Sequence, residues 1–168
     1  MKKRLLFLTV WALLLLGALA APAALAGASF IDYTASEVMV GAPTITSVTP
    51  CGDGVLKVTM ANHFQDVDAT HPWGNAEVDT WATLVVHTAA DGQWIWANTK
   101  GPYRSEGASG VHQGSFTGSV SFVTGETYYR FTGKGISGEY AGTVWTGTGY
   151  CPGRGDPVTQ MTVRVLIP

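Results

Sequence analysis

Residues 119–151 read SVSFVTGETYYRFTGKGISGEYAGTVWTGTGYC, and the organisation of the chain turns on them. Val120 and Phe122 alternate with Ser119 and Ser121, the period-2 pattern of a strand buried on one face. Thr124-Gly125-Glu126 interrupts that run. A second begins with Tyr129 and Phe131, which places Tyr128 on the opposite face. The Gly-rich segment from Gly133 to Gly138 predicts a turn into a further strand around Val144 and Trp145. The stretch therefore predicts a strand end, a tight corner and a long hairpin.

Moving outward, the same alternation recurs. Residues 43–48 (PTITSV) and 55–60 (VLKVTM) read as two strands joined by a short turn. Residues 81–88 and 93–98 read as a hairpin around Ala90-Asp91-Gly92. Within it Trp94 and Trp96 are expected on one face of the second strand, with Ile95 on the other. Residues 115–123 form the next strand. Between Val158 and Ile167, Met161, Val163 and Val165 alternate with Gln160, Thr162 and Arg164, an amphipathic strand. Low charge, 21 Gly and few helix formers agree on an all-β chain.

The corner resembles that of a fibronectin type III domain, an immunoglobulin-like β-sandwich. The family pattern Leu-x-Pro-x-Thr-x-Tyr falls on Val123, Gly125, Thr127 and Tyr129, with Val for Leu and Gly for Pro. Residues 43–48 and 55–60 resemble the first two strands of that family, with Met60 where a Trp is usual. The resemblance covers roughly residues 43–149. It implies a two-sheet sandwich of seven strands, or eight counting 158–167. It also implies a corner role for Tyr129, whose hydroxyl would bond backbone a few residues upstream.

The N-terminus reads as a leader. Lys2-Lys3-Arg4 is a basic start, Leu5 to Leu16 an apolar run, and Ala24-Leu25-Ala26 before Gly27 fits a small-x-small cleavage site. This predicts a signal peptide over 1–26, a lead-in strand or linker over 27–42, and one sandwich domain over 43–168. An uncleaved signal anchor is the rival reading of the apolar run. Losing the leader removes three basic residues and no acid. The formal charge then moves from −2 to −5, with 7 basic side chains against 12 acidic ones. Such a chain carries no electrostatic footprint for nucleic acid.

Two cysteines in an exported chain are expected to form one disulfide. In the fibronectin-like register Cys51 and Cys151 lie at the same end of the sandwich. Their bridge would close a loop of about 100 residues, worth about 4 to 5 kcal/mol in the chain-entropy model.

Two segments read as irregular connections. Residues 62–80 gather His63, Asp66, Asp68, His71, Glu77 and Asp79. Asp66-x-Asp68-x-Thr70 has the alternating oxygens that open a calcium loop, but His71 stands at the position an EF-hand reserves for Gly. The alternatives are an irregular Ca²⁺ or His/Asp site and a solvated acidic loop, and no metal ligand set is assigned. Trp73 in the same segment is either a plug closing the end of the sandwich or an exposed stacking ring. Residues 100–114, rich in Gly and Ser, read as the second connection. Arg154-Gly155-Asp156 follows Cys151 in a turn-rich stretch and reads as a chance tripeptide.

No nucleophile elbow, zinc-protease pair or phosphate loop is present, and His63, His71, His87 and His112 are dispersed. No catalytic residue and no cofactor is expected. The function expected is that of a secreted, non-enzymatic binding or adhesion module. It would recognise an extracellular protein or glycan through loops at one end of the sandwich, with no membrane contact after leader cleavage. The alternatives are a carbohydrate-binding domain stacking sugars on Trp73, Trp94 or Trp96, and a subunit of an extracellular assembly that self-associates along the 158–167 edge.

Overall fold

The computed structural model describes residues 27–70 and 73–168. The leader expected over 1–26 lies outside them, as do His71 and Pro72. The described chain is all-β, in nine strands: β1 (Ser29–Met39), β2 (Thr44–Gly52), β3 (Val55–Asp66), β4 (Ala76–Thr88), β5 (Trp94–Gly107), β6 (Gly110–Ser121), β7 (Thr127–Gly138), β8 (Val144–Cys151) and β9 (Thr159–Ile167). From β2 to β9 each strand pairs antiparallel with the next. β1 pairs with β9 over nine residue pairs, Ser29↔Ile167 to Glu37↔Thr159, and with β3 at Glu37↔Asp66, Val38↔Gln65 and Met39↔Phe64. The single sheet thus closes on itself as an up-and-down barrel.

The two-sheet sandwich does not describe this topology. A sandwich needs connections that cross from one sheet to the other, and among the described residues all nine strands belong to one sheet. The segment expected to supply one, 100–114, is strand on both sides of a tight turn at 108–109. Its Gly and Ser content misleads because glycine serves a different purpose in this barrel. On β8, a Cβ at Gly149 would fall 2.3 Å from the Tyr129 ring and one at Gly147 would fall 2.6 Å from the Phe131 ring. The glycines are the space into which the large rings of β7 lean, a pairing that keeps a crowded interior unstrained.

β1 and β2 occupy successive stretches of the same β3 edge. Val40 N–H continues the ladder to His63 O, Gly41 turns the chain at φ 79°, and β2 resumes at Thr44↔Ala61. Residues 29–39, expected as a lead-in, are thus integral to the barrel. β9 is held on both sides, by β1 and β8, so it offers no edge for a second chain. The strand left with one partner is β2, all of whose residues are exposed.

Alternation sorts the side chains. Along β4, Ala76, Val78, Thr80, Ala82, Leu84 and Val86 point inward; Glu77, Asp79, Trp81 and Val85 point out. Lys57, Lys100, Arg104, Arg130 and Arg164 alternate to the outward side of their strands. Arg164 holds Asp32 through two hydrogen bonds of 2.7 and 2.9 Å, tying β9 to β1 on the outer surface.

Two apolar clusters fill the ends. One gathers Ala35, Tyr140, Trp145, Met161, Val163 and Val165, with Trp73, Tyr33 and Phe131 against it. The other gathers Val58, Ala82, Leu84, Val86 and Ala97, with Trp94, Phe116 and Phe122. Cys51 and Cys151 are both free thiols, which corrects the expected disulfide. Cys51 is exposed at the end of β2, while Cys151 is buried at the end of β8, its thiol directed to Asp156 O at 3.5 Å.

Candidate functional site

Between the two clusters lies a cavity of about 630 Å³. Its wall is mainly apolar, with Met60, Phe64, Leu84, Phe116, Phe131 and Val163 among the contributors. A closed ring of eight strands is just wide enough to hold side chains or one small ligand, and Ala82 is a small inward residue on its wall. The cavity reaches the seam below the β1–β3 ladder, where Pro43 and Ile45 border it on one side and Gly153, Arg154 and Pro157 on the other.

Into this apolar chamber project a few polar groups. Glu37, the last inward residue of β1 before Met39, is 5 % exposed; Asp66, at the end of β3, is 6 % exposed. They are direct cross-strand partners. Burial pushes the Glu37 carboxyl up to about 7, the Asp66 charge adds to the rise, and the Tyr129 hydroxyl opposes it by donating to Oε2 at 2.6 Å. Burial pushes Asp66 up to about 6, against a hydrogen bond from the Ala76 N–H. Burial and the Glu37 charge raise Tyr129 well above the usual phenol. Tyr129 therefore faces inward as expected, but its hydroxyl spans to β1 rather than bonding the nearby backbone of a tyrosine corner.

Two inward positions before Asp66 on β3, Asn62 donates through Nδ2 to Thr80 Oγ1 at 3.0 Å. Asn62 Oδ1 and Asp66 Oδ1 are buried and have no hydrogen-bond partner. Further along, Tyr103 Oη lies 3.2 Å from His112 Nδ1, and the His112 ring stacks on Trp145 at 4.0 Å and 3°. The site is thus rich in acceptors, able to hold or exchange a proton, and walled by rings.

The residues singled out from sequence scatter around it. Trp73 packs on Tyr140 and Trp145 at 5.3 and 5.5 Å, inside the end cluster. Trp94 faces inward, borders the cavity and meets Phe122 edge-on at 5.2 Å. Trp96 points outward and stacks on His87 at 4.0 Å. The two were expected on one face; a bulge that sets Trp96 opposite His87 and Trp94 opposite Thr88 separates them. The acidic loop also divides. It shortens to 67–75, because 62–66 and 76–80 are strand. Strand alternation sends Asp66 inward and Asp79 outward, where Asp79 pairs with His63 Nδ1 at 2.9 Å. Among the described residues no three His, Cys, Asp or Glu side chains gather around a metal position. Arg154 of the Arg-Gly-Asp tripeptide donates to Phe122 O at 2.7 Å.

Glu37 and Asp66 were the residues that sequence reading missed as a pair. The signal was present: Ile31, Tyr33 and Ala35 alternate inward, and the same period lands on Glu37. No protein-family model, curated protein or solved structure matches this chain, so the fibronectin resemblance gains no support from that quarter.

Proposed function

We propose that the chain is an exported, non-enzymatic binding protein that takes a small, largely apolar ligand inside the barrel. The observation that carries this reading is the interior cavity of about 630 Å³, apolar in its walls, with a few convergent polar groups. That combination of apolar volume for affinity and sparse polar groups for orientation is characteristic of small-molecule sites. The leader over 1–26 supplies the export half of the reading. The ligand would enter at the seam rather than dock on loops at one end, as the sandwich expectation had it. Of the three Trp considered for sugar stacking, Trp94 borders this cavity and would contribute to its wall.

The test is fluorescence of the neutral reporter N-phenyl-1-naphthylamine, which brightens in apolar surroundings. A single saturable site is expected. Ala82→Phe, which fills the chamber, should abolish it, whereas Thr83→Phe on the outward face of the same strand should leave it intact. No enhancement with the native chain, or equal binding by both variants, would overturn the interior site.

A further inference from the structure

We propose, building on the interior-binding reading, that the barrel selects ligands carrying a protonated amine on an apolar body, with the ammonium held by Asp66 and Glu37. The first support is an imbalance of donors and acceptors. Asp66 Oδ1 is buried without a partner on a residue that is 6 % exposed and borders the cavity. Buried acceptors left unmatched are rare in native proteins, and a ligand group offering several N–H donors removes the deficit.

The second support is charge. Glu37 and Asp66 stand opposite each other, and no lysine borders the cavity. Its one arginine, Arg154, stands at the seam and donates to Phe122 O. Arg164 is committed to Asp32 on the outer surface. Among the described residues, two carboxyls thus share an apolar chamber bordered by no lysine and by one arginine engaged at the seam, an arrangement a ligand ammonium completes. A carboxylate ligand would bring a third negative charge, and an alcohol would bring one donor and no charge.

The third support is the wall. Tyr33, Tyr103, Tyr129 and Phe131 border the same chamber, and aromatic faces attract cations in desolvated sites. The polar groups set the head and the Met and Phe side chains accommodate the body, so the ligand class is an alkyl or aryl amine.

The experiment is displacement of N-phenyl-1-naphthylamine at pH 8 by octylamine, 1-octanol and octanoate, which share an alkyl body and differ in the head. Charge-assisted hydrogen bonds are roughly twice as strong as neutral ones, so octylamine should displace the reporter at concentrations at least about tenfold lower than octanol. Octanoate should be the weakest. Glu37→Gln/Asp66→Asn should lose the preference for the amine, octylamine and octanol then displacing the reporter at similar concentrations relative to that variant's own reporter affinity. If that double variant does not fold, Asp66→Asn alone, which keeps an acceptor and removes a charge, should reduce the preference. Reporter binding with octanol as effective as octylamine overturns the amine inference and leaves the interior site standing. Preference retained by the folded variants overturns it as well. Absence of reporter binding removes the interior site itself.

Discussion

Glu37 stands directly opposite Asp66 in the three-pair ladder that joins β1 to β3 and closes the barrel. Two acids facing each other across a ladder repel when both are ionised, and here both side chains also lie in an apolar interior. The seam of the barrel and the polar end of its cavity are therefore one structural element. What protonates or neutralises the pair tightens the closure.

The first consequence is a stability that falls as pH rises. Glu37 is raised from 4.5 to about 7 and Asp66 from 3.8 to about 6, so the folded state holds protons that the unfolded chain has already released. The stabilising protonation is complete below the unfolded values and lost as pH climbs through the folded ones. Tyr33, Tyr103, Tyr129, His112, Cys151 and Arg154 are the other titratable groups bordering the chamber. Chemical denaturation from pH 4 to 8 should show the decline. Glu37→Gln should flatten it, adding about 3 kcal/mol at pH 8 and almost nothing at pH 4. An unchanged profile in the variant would remove Glu37 from the account.

The hydroxyl of Tyr129 is the strap between β7 and β1. Tyr129→Phe deletes the 2.6 Å donor to Glu37 and should cost about 1 to 3 kcal/mol, while Tyr128→Phe, on the exposed face, should stay within about 0.5 kcal/mol. Without its donor the Glu37 carboxylate is less favoured, so the pH decline should also deepen and extend to higher pH. Equal losses at both positions would place β7 one residue out of register.

Gly149 tests the barrel interior from the other side. A methyl there meets the Tyr129 ring at 2.3 Å, so Gly149→Ala should displace the ring and weaken its bond to Glu37. Overpacking of this kind costs about 1 to 3 kcal/mol. Gly155→Ala, where an added Cβ meets nothing within 4 Å, is the control. A double variant with Tyr129→Phe should lose less than the sum of the two, measured by denaturant midpoint.

The thiols should react unequally. Cys51 is exposed and Cys151 buried, so one alkylation is expected in the folded, unreduced chain and two after unfolding. Mass spectrometry reads both. A chain showing no free thiol under either condition would restore a bridge.

The two tryptophans of β5 should part company on truncation. Trp94→Ala removes a wall of the second cluster and should cost about 3 kcal/mol or more. Trp96→Ala removes an outward ring stacked on His87 and should cost well under that. Matching losses in thermal denaturation would contradict the bulge that sets them on opposite faces.

Much of this architecture was legible where alternation was clean. Met161, Val163 and Val165 marked β9, Leu84 and Val86 marked β4, and Ala90-Asp91-Gly92 marked the hairpin turn. It was illegible where glycine fills inward positions: Gly133 was read as the start of a turn, yet its place in mid-β7 leaves room for the Tyr103 hydroxyl, 2.2 Å from where a Cβ would fall. Closure of the sheet was illegible too, because pairing Ser29 with Ile167 depends on strands distant in sequence. The site followed the same division. The inward period of β1 pointed at Glu37, but nothing local says that Asp66 stands across from it, and acids clustered at 66–79 suggested a shared loop when strand alternation divides them.

The β1–β9 ladder has a kinetic meaning. From β2 to β9 every pairing is between neighbours in the chain, which can form by successive short loop closures. The ladder from Ser29↔Ile167 to Glu37↔Thr159 joins the two ends of the described chain and carries the largest closure entropy. The open meander should therefore assemble first, and β1 should arrive last, bringing Glu37 to Asp66 and the chamber into existence in a single event. In native-state hydrogen exchange, the β1 amides should open at lower free energy than those of β4 and β5; the opposite order would mean that the ring is sealed before its walls are built.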